Sequence, residues 1–295
     1  MTEREMFTLV GIRKEQPAPP QKTCRMQGFP WISVIVLGLI VFGCLFAEVL
    51  MTKDPAYLDL KNYNVAPNGE FLFGTDTLGR DIFSGIWYGG RISITIGFLA
   101  TLISTVIAVV YGALSGVAPA WLDAVLMRFT EIFLSVPGLL LVLFLQAILG
   151  QANVVTLSIV IGVTSWASIA KVIRTEVRQI RGSEYVVASR CMGGKFFHIL
   201  RKHLAPNFIA SIMFMVVMNV RGAIGAESTL SFLGMGLPLE VISWGSMLSL
   251  SEKALLTGSW WIILIPGAFL VTLLMCLTNI GNYLRKSASR KESNL

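Results

Sequence analysis

An all-α, polytopic membrane protein with six transmembrane helices and one long cytoplasmic loop is the fold class that this sequence predicts, on three observations. Of 295 residues, 54% are hydrophobic and only 14% charged, whereas a soluble domain carries about 25% charged residues. The apolar residues gather into six runs, at roughly 31–51, 92–116, 127–149, 154–170, 207–231 and 260–280. A helix of about 20 residues crosses a hydrocarbon core of about 30 Å. The basic residues are also unevenly spread. With the N-terminus inside, 18 Lys and Arg fall in cytoplasmic segments, five fall outside, and Arg221 lies in a span. Positive charge stays on the cytoplasmic side of short loops, so both termini are expected inside. The net charge of +7 follows from this bias and from anionic headgroups, and needs no nucleic acid.

Residues 1–30 are mixed and contain PAPP at 17–20; a disordered cytoplasmic tail is expected, with no cleavable leader. The first span and an outer loop follow at 31–91. Within that loop, 73–91 places Leu78, Ile82, Phe83, Ile86 and Trp87 on one helical side, with Thr75 or Asp76 as a cap. It is expected to lie along the outer surface as a brace or as a contact for a partner. The second span centres on LATLISTVIAVVYGALSG, where Gly112 and Gly116 permit close helix crossing, within the chain or against another subunit. The third carries Arg128 and Glu131 near one end, and Pro137 inside. Pro266 lies in the sixth; both prolines are candidate kinks. The transmembrane domain proper is placed at 92–284 and a cytoplasmic tail at 285–295.

The cytoplasmic segment 171–206 is too long for a turn. Lys171, Arg174, Arg178 and Arg181 recur at spacings of three and four, so the fourth span is expected to run on as a helix until Gly182-Ser183 breaks it. Ser183 can cap a short helix with Glu184 in its first turn. That helix presents Tyr185, Val186, Ala188, Ser189 and Met192 and stops at Gly193-Gly194. Such a shape suits a docking knob, and equally a basic helix lying on anionic lipid.

EYVVASRCMGGKFFHILRKHLAPN, at 184–207, resembles the EAA loop of ATP-binding-cassette importer permeases. Ala188, Gly193 and Pro206 match the family pattern; Val187, Ser189, His203 and Ala205 depart from it. The wording is similar to the peptide and nickel branch. Two further stretches agree: FGTDTLGRDIFSGIWYGGRISITIG at 73–97 and AESTLSFLGMGLPLEVISWGSML at 226–248 resemble the "C"-type permeases of dipeptide, oligopeptide and nickel systems. The C-terminal Gly281-Asn282-Tyr283-Leu284-Arg285-Lys286 departs from that branch.

The resemblance implies a multi-pass subunit of a bacterial inner membrane. It would pair with a similar but non-identical permease, two cytoplasmic ATPases and an extracytoplasmic binding protein. Glu184, Tyr185, Ala188, Ser189, Arg190, Gly193, Gly194 and Pro206 would then carry the coupling to the ATPases. The chain itself would not be an enzyme and would need no cofactor, because it has no GxxxxGK[ST] phosphate loop; Gly193-Gly194-Lys195-Phe196 lacks the spacing and the hydroxyl.

Arg221 and Glu227, six residues apart in the fifth span, project about 240° from each other and cannot pair along one helix face. As charges in a span they are candidates for the translocation path. For Glu227 an interfacial structural role is the stronger expectation. Arg221 could meet a carboxylate, snorkel or pair with the partner permease. Metal ligation is not expected, since His198 and His203 belong to no ligand cluster, and Cys24, Cys44, Cys191 and Cys276 read as reduced apolar side chains.

A self-contained secondary transporter would need ion-coupling groups and repeat halves that are not visible. An intramembrane enzyme would need a nucleophile with its base inside the bilayer. Di- or oligopeptides are the expected cargo, with nickel or a metallophore complex as the alternative.

Overall fold

The computed structural model describes residues 28–182 and 205–293, and every regular element among them is a helix. The tail before residue 28 and the loop 183–204 lie outside the described residues. The first expected span is α1, Trp31–Leu45, followed after Phe46 by one turn, α2, Ala47–Leu50. The connection that follows, 51–81, folds back on itself around a 3-10 turn at Leu60–Asn62.

The central helix is α3, Ile82–Val117, 36 residues long and so about 54 Å at 1.5 Å per residue. Asp81 caps it by accepting the backbone N–H of Ser84, a role expected of Thr75 or Asp76. The amphipathic stretch from Ile82 onward is therefore the first turns of this long helix, not a separate surface helix, because nothing between 82 and 91 interrupts the backbone ladder. The buried face of α3 is dominated by Gly, Ala and Ser. Small side chains there let the helices of the fourth and fifth expected spans approach closely.

The expected third span is two helices, α4, Ala120–Ser135, and α5, Gly138–Leu149, bent by 88° at Val136-Pro137. Pro137 has no N–H to continue the ladder, and it forces Val136 into an extended conformation, φ −85 and ψ 129. The fourth is α6, Val154–Thr164, and α7, Trp166–Arg181, bent by 44° at Ser165. An Asn153–Thr156 capping box opens α6. As the basic spacing predicts, α7 runs well past residue 170 and ends at Gly182.

Gly112 shows how closely α3 and α7 pack. A Cβ there would lie 2.6 Å from the backbone carbonyl of Ala170 and 2.9 Å from Ile173, while at Gly116 it would meet Val177. The glycine pair thus serves the crossing of α3 with α7 inside this chain, not a contact with another subunit. Gly112→Ala is expected to lower stability by about 1–3 kcal/mol, because a backbone carbonyl cannot yield as a side chain can. Gly38→Ala, at a position with nothing within 4 Å, is the control. Equal Tm values for the two detergent-solubilised variants would contradict this reading.

The fifth is α8, Ala205–Phe232. Two short helices, α9, Trp244–Ser249, and α10, Ser251–Thr257, lead to α11, Trp261–Ser293. The last helix continues through Pro266 and absorbs most of the expected C-terminal tail. Among the described residues, two helices are long and apolar enough to cross a membrane, or up to four if each bent pair is one span.

Among the described residues, three apolar clusters hold the bundle. One joins α1, the start of α3 and α9–α11 around Trp244 and Ile86. A second joins α3 and α7 around Ile173 and Trp166. The third joins the middle of α3 to α6 and α8 around Ile96, Leu157 and Leu230.

Candidate functional site

Two of the three family-like stretches meet in space, and polar groups join them. The run Gly74–Asp81 is a chain of constrained turns. Gly74 and Gly79 have φ of 78° and 76°, and a Cβ on Gly79 would sit 1.9 Å from the carbonyl oxygen of Asp59; only glycine fits there. Thr75 is fully buried, its hydroxyl donating to the Asn62 carbonyl at 2.6 Å and accepting from the Val65 N–H at 2.8 Å. The Asp76 carboxylate accepts the N–H groups of Leu78 and Arg80, each at 2.8 Å. Burial raises the Asp76 pKa against the pull of those two N–H groups. Asp81 then starts α3. Arg80 reaches across to the carbonyl of Leu239 at 2.9 Å, and the Trp261 indole donates to the Thr75 carbonyl at 3.1 Å.

Beneath this cap lies Glu227, fully buried on α8. Four serine hydroxyls donate to its carboxylate: Ser243 at 2.7 Å and Ser231 at 3.0 Å to Oε1, Ser93 at 2.9 Å and Ser228 at 3.3 Å to Oε2. Ser93 belongs to α3 and Ser243 is the N-cap of α9, so a single carboxylate ties three helices. Trp244 completes the lock. It is fully buried, its N–H donates to Ser93 Oγ at 3.3 Å, and its indole donates to the Ile86 carbonyl at 2.9 Å. A buried carboxyl group surrounded by hydroxyl partners satisfies the rule that buried polar groups are hydrogen-bonded. Within this chain the Glu227 side chain is fully buried at a junction of three helices.

At the opposite end of the bundle, Asp123 in the first turn of α4 is 4% exposed. Arg174 of α7 grips both its oxygens through Nε and Nη2, Arg178 adds Nη2 at 3.0 Å, and Ser115 donates to Oδ1 at 2.6 Å. Arg181 donates to the Val117 carbonyl at 2.9 Å. The basic run on α7 is thus largely a clamp on the α3–α4 corner, with a bidentate Arg–carboxylate pair at its centre. Sequence reasoning missed Asp123. The available signal was that it is the one charged residue between Val117 and Arg128, a stretch whose other side chains are all apolar.

Arg221 lies on the other side of α8 from Glu227 and is exposed. Gly222 and Gly225 beside it have nothing within 4 Å of a built Cβ, and Thr229, two turns on, is exposed as well. Among the described residues Arg221 forms no ion pair. The structure therefore separates the two charges that the sequence singles out together. Glu184, Tyr185, Ala188, Ser189, Arg190, Gly193 and Gly194 lie outside the described residues, and of Pro206 only its place in the first turn of α8 is described.

Comparison with known proteins accords with this architecture. The profile of the family "binding-protein-dependent transport system inner membrane component" matches residues 108–290. The dipeptide transport system permease protein DppC of Bacillus subtilis is 39% identical over 221 residues, 75% of this chain and 68% of that one. The oligopeptide transport system permease protein OppC of the same organism is 35% identical over 260 residues, 88% of this chain and 85% of that one. OppC of Haemophilus influenzae is 33% identical over 262 residues, 88% and 84% of the two chains. Among solved structures, a chain of the MetNI methionine ABC transporter in an inward-facing conformation superposes with a TM-score of 0.57 at 18% identity, covering 69% of this chain and 96% of that chain. That likeness is one of fold.

Proposed function

This chain belongs to the family of binding-protein-dependent transport system inner membrane components, and from that premise we propose that it is the permease subunit of an ATP-binding-cassette importer for di- and oligopeptides. The observation that carries the proposal is the 35% identity to an oligopeptide permease along 88% of the chain, with no large part of the molecule left over for a separate activity. In this reading the chain supplies half of the translocation path and a second, homologous permease the other half. Two cytoplasmic ATP-binding subunits drive it, and an extracytoplasmic binding protein delivers the peptide.

The six-span topology with both termini cytoplasmic is part of the same proposal. It is supported by the distribution of Lys and Arg and by α7, whose last turn leads directly into the loop that resembles the EAA segment. Coupling is assigned to Glu184, Tyr185, Ala188, Ser189, Arg190, Gly193, Gly194 and Pro206. The transmembrane domain of 92–284 extends, on this reading, into the long α3 and α11 at either end. Arg221, exposed beside two glycines, is the residue of this chain best placed to line the path.

The test is reconstitution. The chain, its candidate second permease and the ATPases are expected to co-elute and to hydrolyse ATP, and vesicles of the complex with the binding protein are expected to take up labelled dipeptide rather than labelled nickel. Gly193→Trp is expected to abolish uptake while membrane insertion and ATP hydrolysis persist. Normal uptake by Gly193→Trp would remove the coupling assignment, and uptake of nickel alone would remove the substrate.

A further inference from the structure

We propose that Arg221 holds the C-terminal carboxylate of the peptide as it crosses the membrane, and so makes this chain's share of the path selective for peptides with a free acid terminus. The inference rests on the reading of the chain as a peptide permease. Arg221 lies about 24 Å along α8, a helix of about 42 Å at 1.5 Å per residue, and so near mid-depth of the bilayer on the six-span topology. A charged side chain at that depth is kept out of lipid by the cost of its desolvation and faces water, protein or cargo instead. Within this chain it faces open space. Arg221 and Gly222 are exposed, as is Thr229 on the same side of the helix, and a Cβ at Gly222 or Gly225 would meet nothing within 4 Å. The glycines of α3 differ, since a Cβ at Gly97 would meet Ile224 and one at Gly112 would meet Ala170. Glycine on α3 lets helices touch, whereas on α8 it leaves a bare strip beside a cation.

The charge that answers Arg221 comes from outside the chain. Among the described residues it forms no ion pair. The carboxyl groups buried in the bundle are occupied, Glu227 by four serines and Asp123 by Arg174 and Arg178. Glu131 pairs with Arg128, and Glu48 with Arg91. A guanidinium keeps its charge in proteins and presents a planar fork that grips both oxygens of a carboxylate, as Arg174 does on Asp123. Di- and oligopeptides differ in every side chain but share one such group, the terminal carboxylate. A strip of glycines next to the fork has no side chain with which to prefer one residue over another. The arrangement therefore fits a cargo that is constant at its end and variable elsewhere. A carboxylate of the second permease is the competing partner, and the experiment separates the two.

The experiment uses the assembled transporter with its binding protein in vesicles, and compares uptake of a labelled dipeptide with uptake of its C-terminal amide. The binding protein's own preference is the same for parent and variant and cancels in the comparison. Arg221→Gln is expected to lower uptake of the free acid relative to the amide by about tenfold, the loss of one charge-assisted contact, with the Tm of the complex unchanged. Arg221→Lys keeps the charge but not the fork and is expected to fall between the two. Arg128→Gln, an exposed cation elsewhere, is expected to leave the ratio as it is. Should the binding protein refuse the amide, charge rescue gives the reading. Arg221→Cys treated with an aminoethylating thiol reagent is expected to regain uptake of the acid, and treated with a neutral methylating reagent it is not; the parent treated alike is the control. Equal loss of acid and amide, undiminished uptake by Arg221→Gln, or the same result with both reagents overturns the proposal. So does a lowered Tm of the Arg221→Gln complex, which would give Arg221 to the second permease. Absence of dipeptide uptake by the parent defeats the permease reading instead, so the two failures are distinguishable.

Discussion

Glu227→Ala is expected to destabilise the chain by on the order of 4 kcal/mol, because four buried hydroxyls lose their shared acceptor at once. Each buried polar group left without a partner costs about 1–3 kcal/mol, although Ser228 and Ser231 can turn to carbonyls of their own helix and recover part of the loss. Ser93 and Ser243 have less freedom, because each also accepts a backbone N–H, from Trp244 and Ser246 respectively. Glu227→Gln keeps the shape and one oxygen, so about 1–2 kcal/mol is expected. Thermal melts of the solubilised chain should rank parent above Gln above Ala. A Gln variant that melts like the parent but fails in uptake would instead assign Glu227 a direct part in transport, and the structural reading would be lost.

Asp123→Ala is expected to cost somewhat less, about 2–3 kcal/mol, because breaking a buried pair leaves the surviving charge without compensation. Here Arg174, with its side chain 22% exposed, and Arg178, 45% exposed, recover some hydration, which keeps the figure below that of a fully enclosed pair. Arg174→Ala should cost less than Asp123→Ala, since Asp123 retains Arg178 and Ser115. The double variant should lose less than the sum of the two singles, because the residues act as one unit. Strict additivity would show that the clamp contributes nothing as a pair. If the loop after α7 is the entry point of mechanical force, the same double variant should also lower uptake per ATP hydrolysed, since α7 would then move without carrying the α3–α4 corner with it.

Much of the architecture is legible in the residues because lipid leaves few choices. A chain that must satisfy every backbone group internally while crossing hydrocarbon forms helices, and apolar run length locates them. Helix ends follow where local chemistry is strong: Gly182 ends α7, and Pro137 breaks the third span. The extent of that break, 88°, is not local information. The interruption at Phe46 has neither proline nor glycine at the break itself, whereas at the 44° bend Thr164 and Ser165 turn their hydroxyls back onto the Val160 and Ile161 carbonyls, a local device that bends helices.

The buried polar sites were harder to read for a different reason. In a soluble protein an apolar face marks the inside, but in a membrane both the core and the lipid-facing surface are apolar, so periodicity does not say which side of a helix is buried. Arg221 and Glu227 look alike in the sequence, two charges in one span. Packing alone separates them, placing Glu227 among four serines drawn from residues 93–243 and leaving Arg221 beside open space. The basic spacing on α7 likewise announced a helix but not its partner, because Asp123 is 51 residues from Arg174 along the chain.

Composition and charge order, then, were sufficient for the solvent in which this chain folds and for its helical class, because hydrocarbon imposes the same demand on every residue in turn, while the resemblance to a family rested on the three stretches at 73–97, 184–207 and 226–248. Which polar groups meet, which face of each helix is open, and how sharply the third span bends depend on contacts between residues far apart in the chain. Those are settled by three-dimensional packing, since a hydrogen bond across helices has no counterpart in the local sequence of either one.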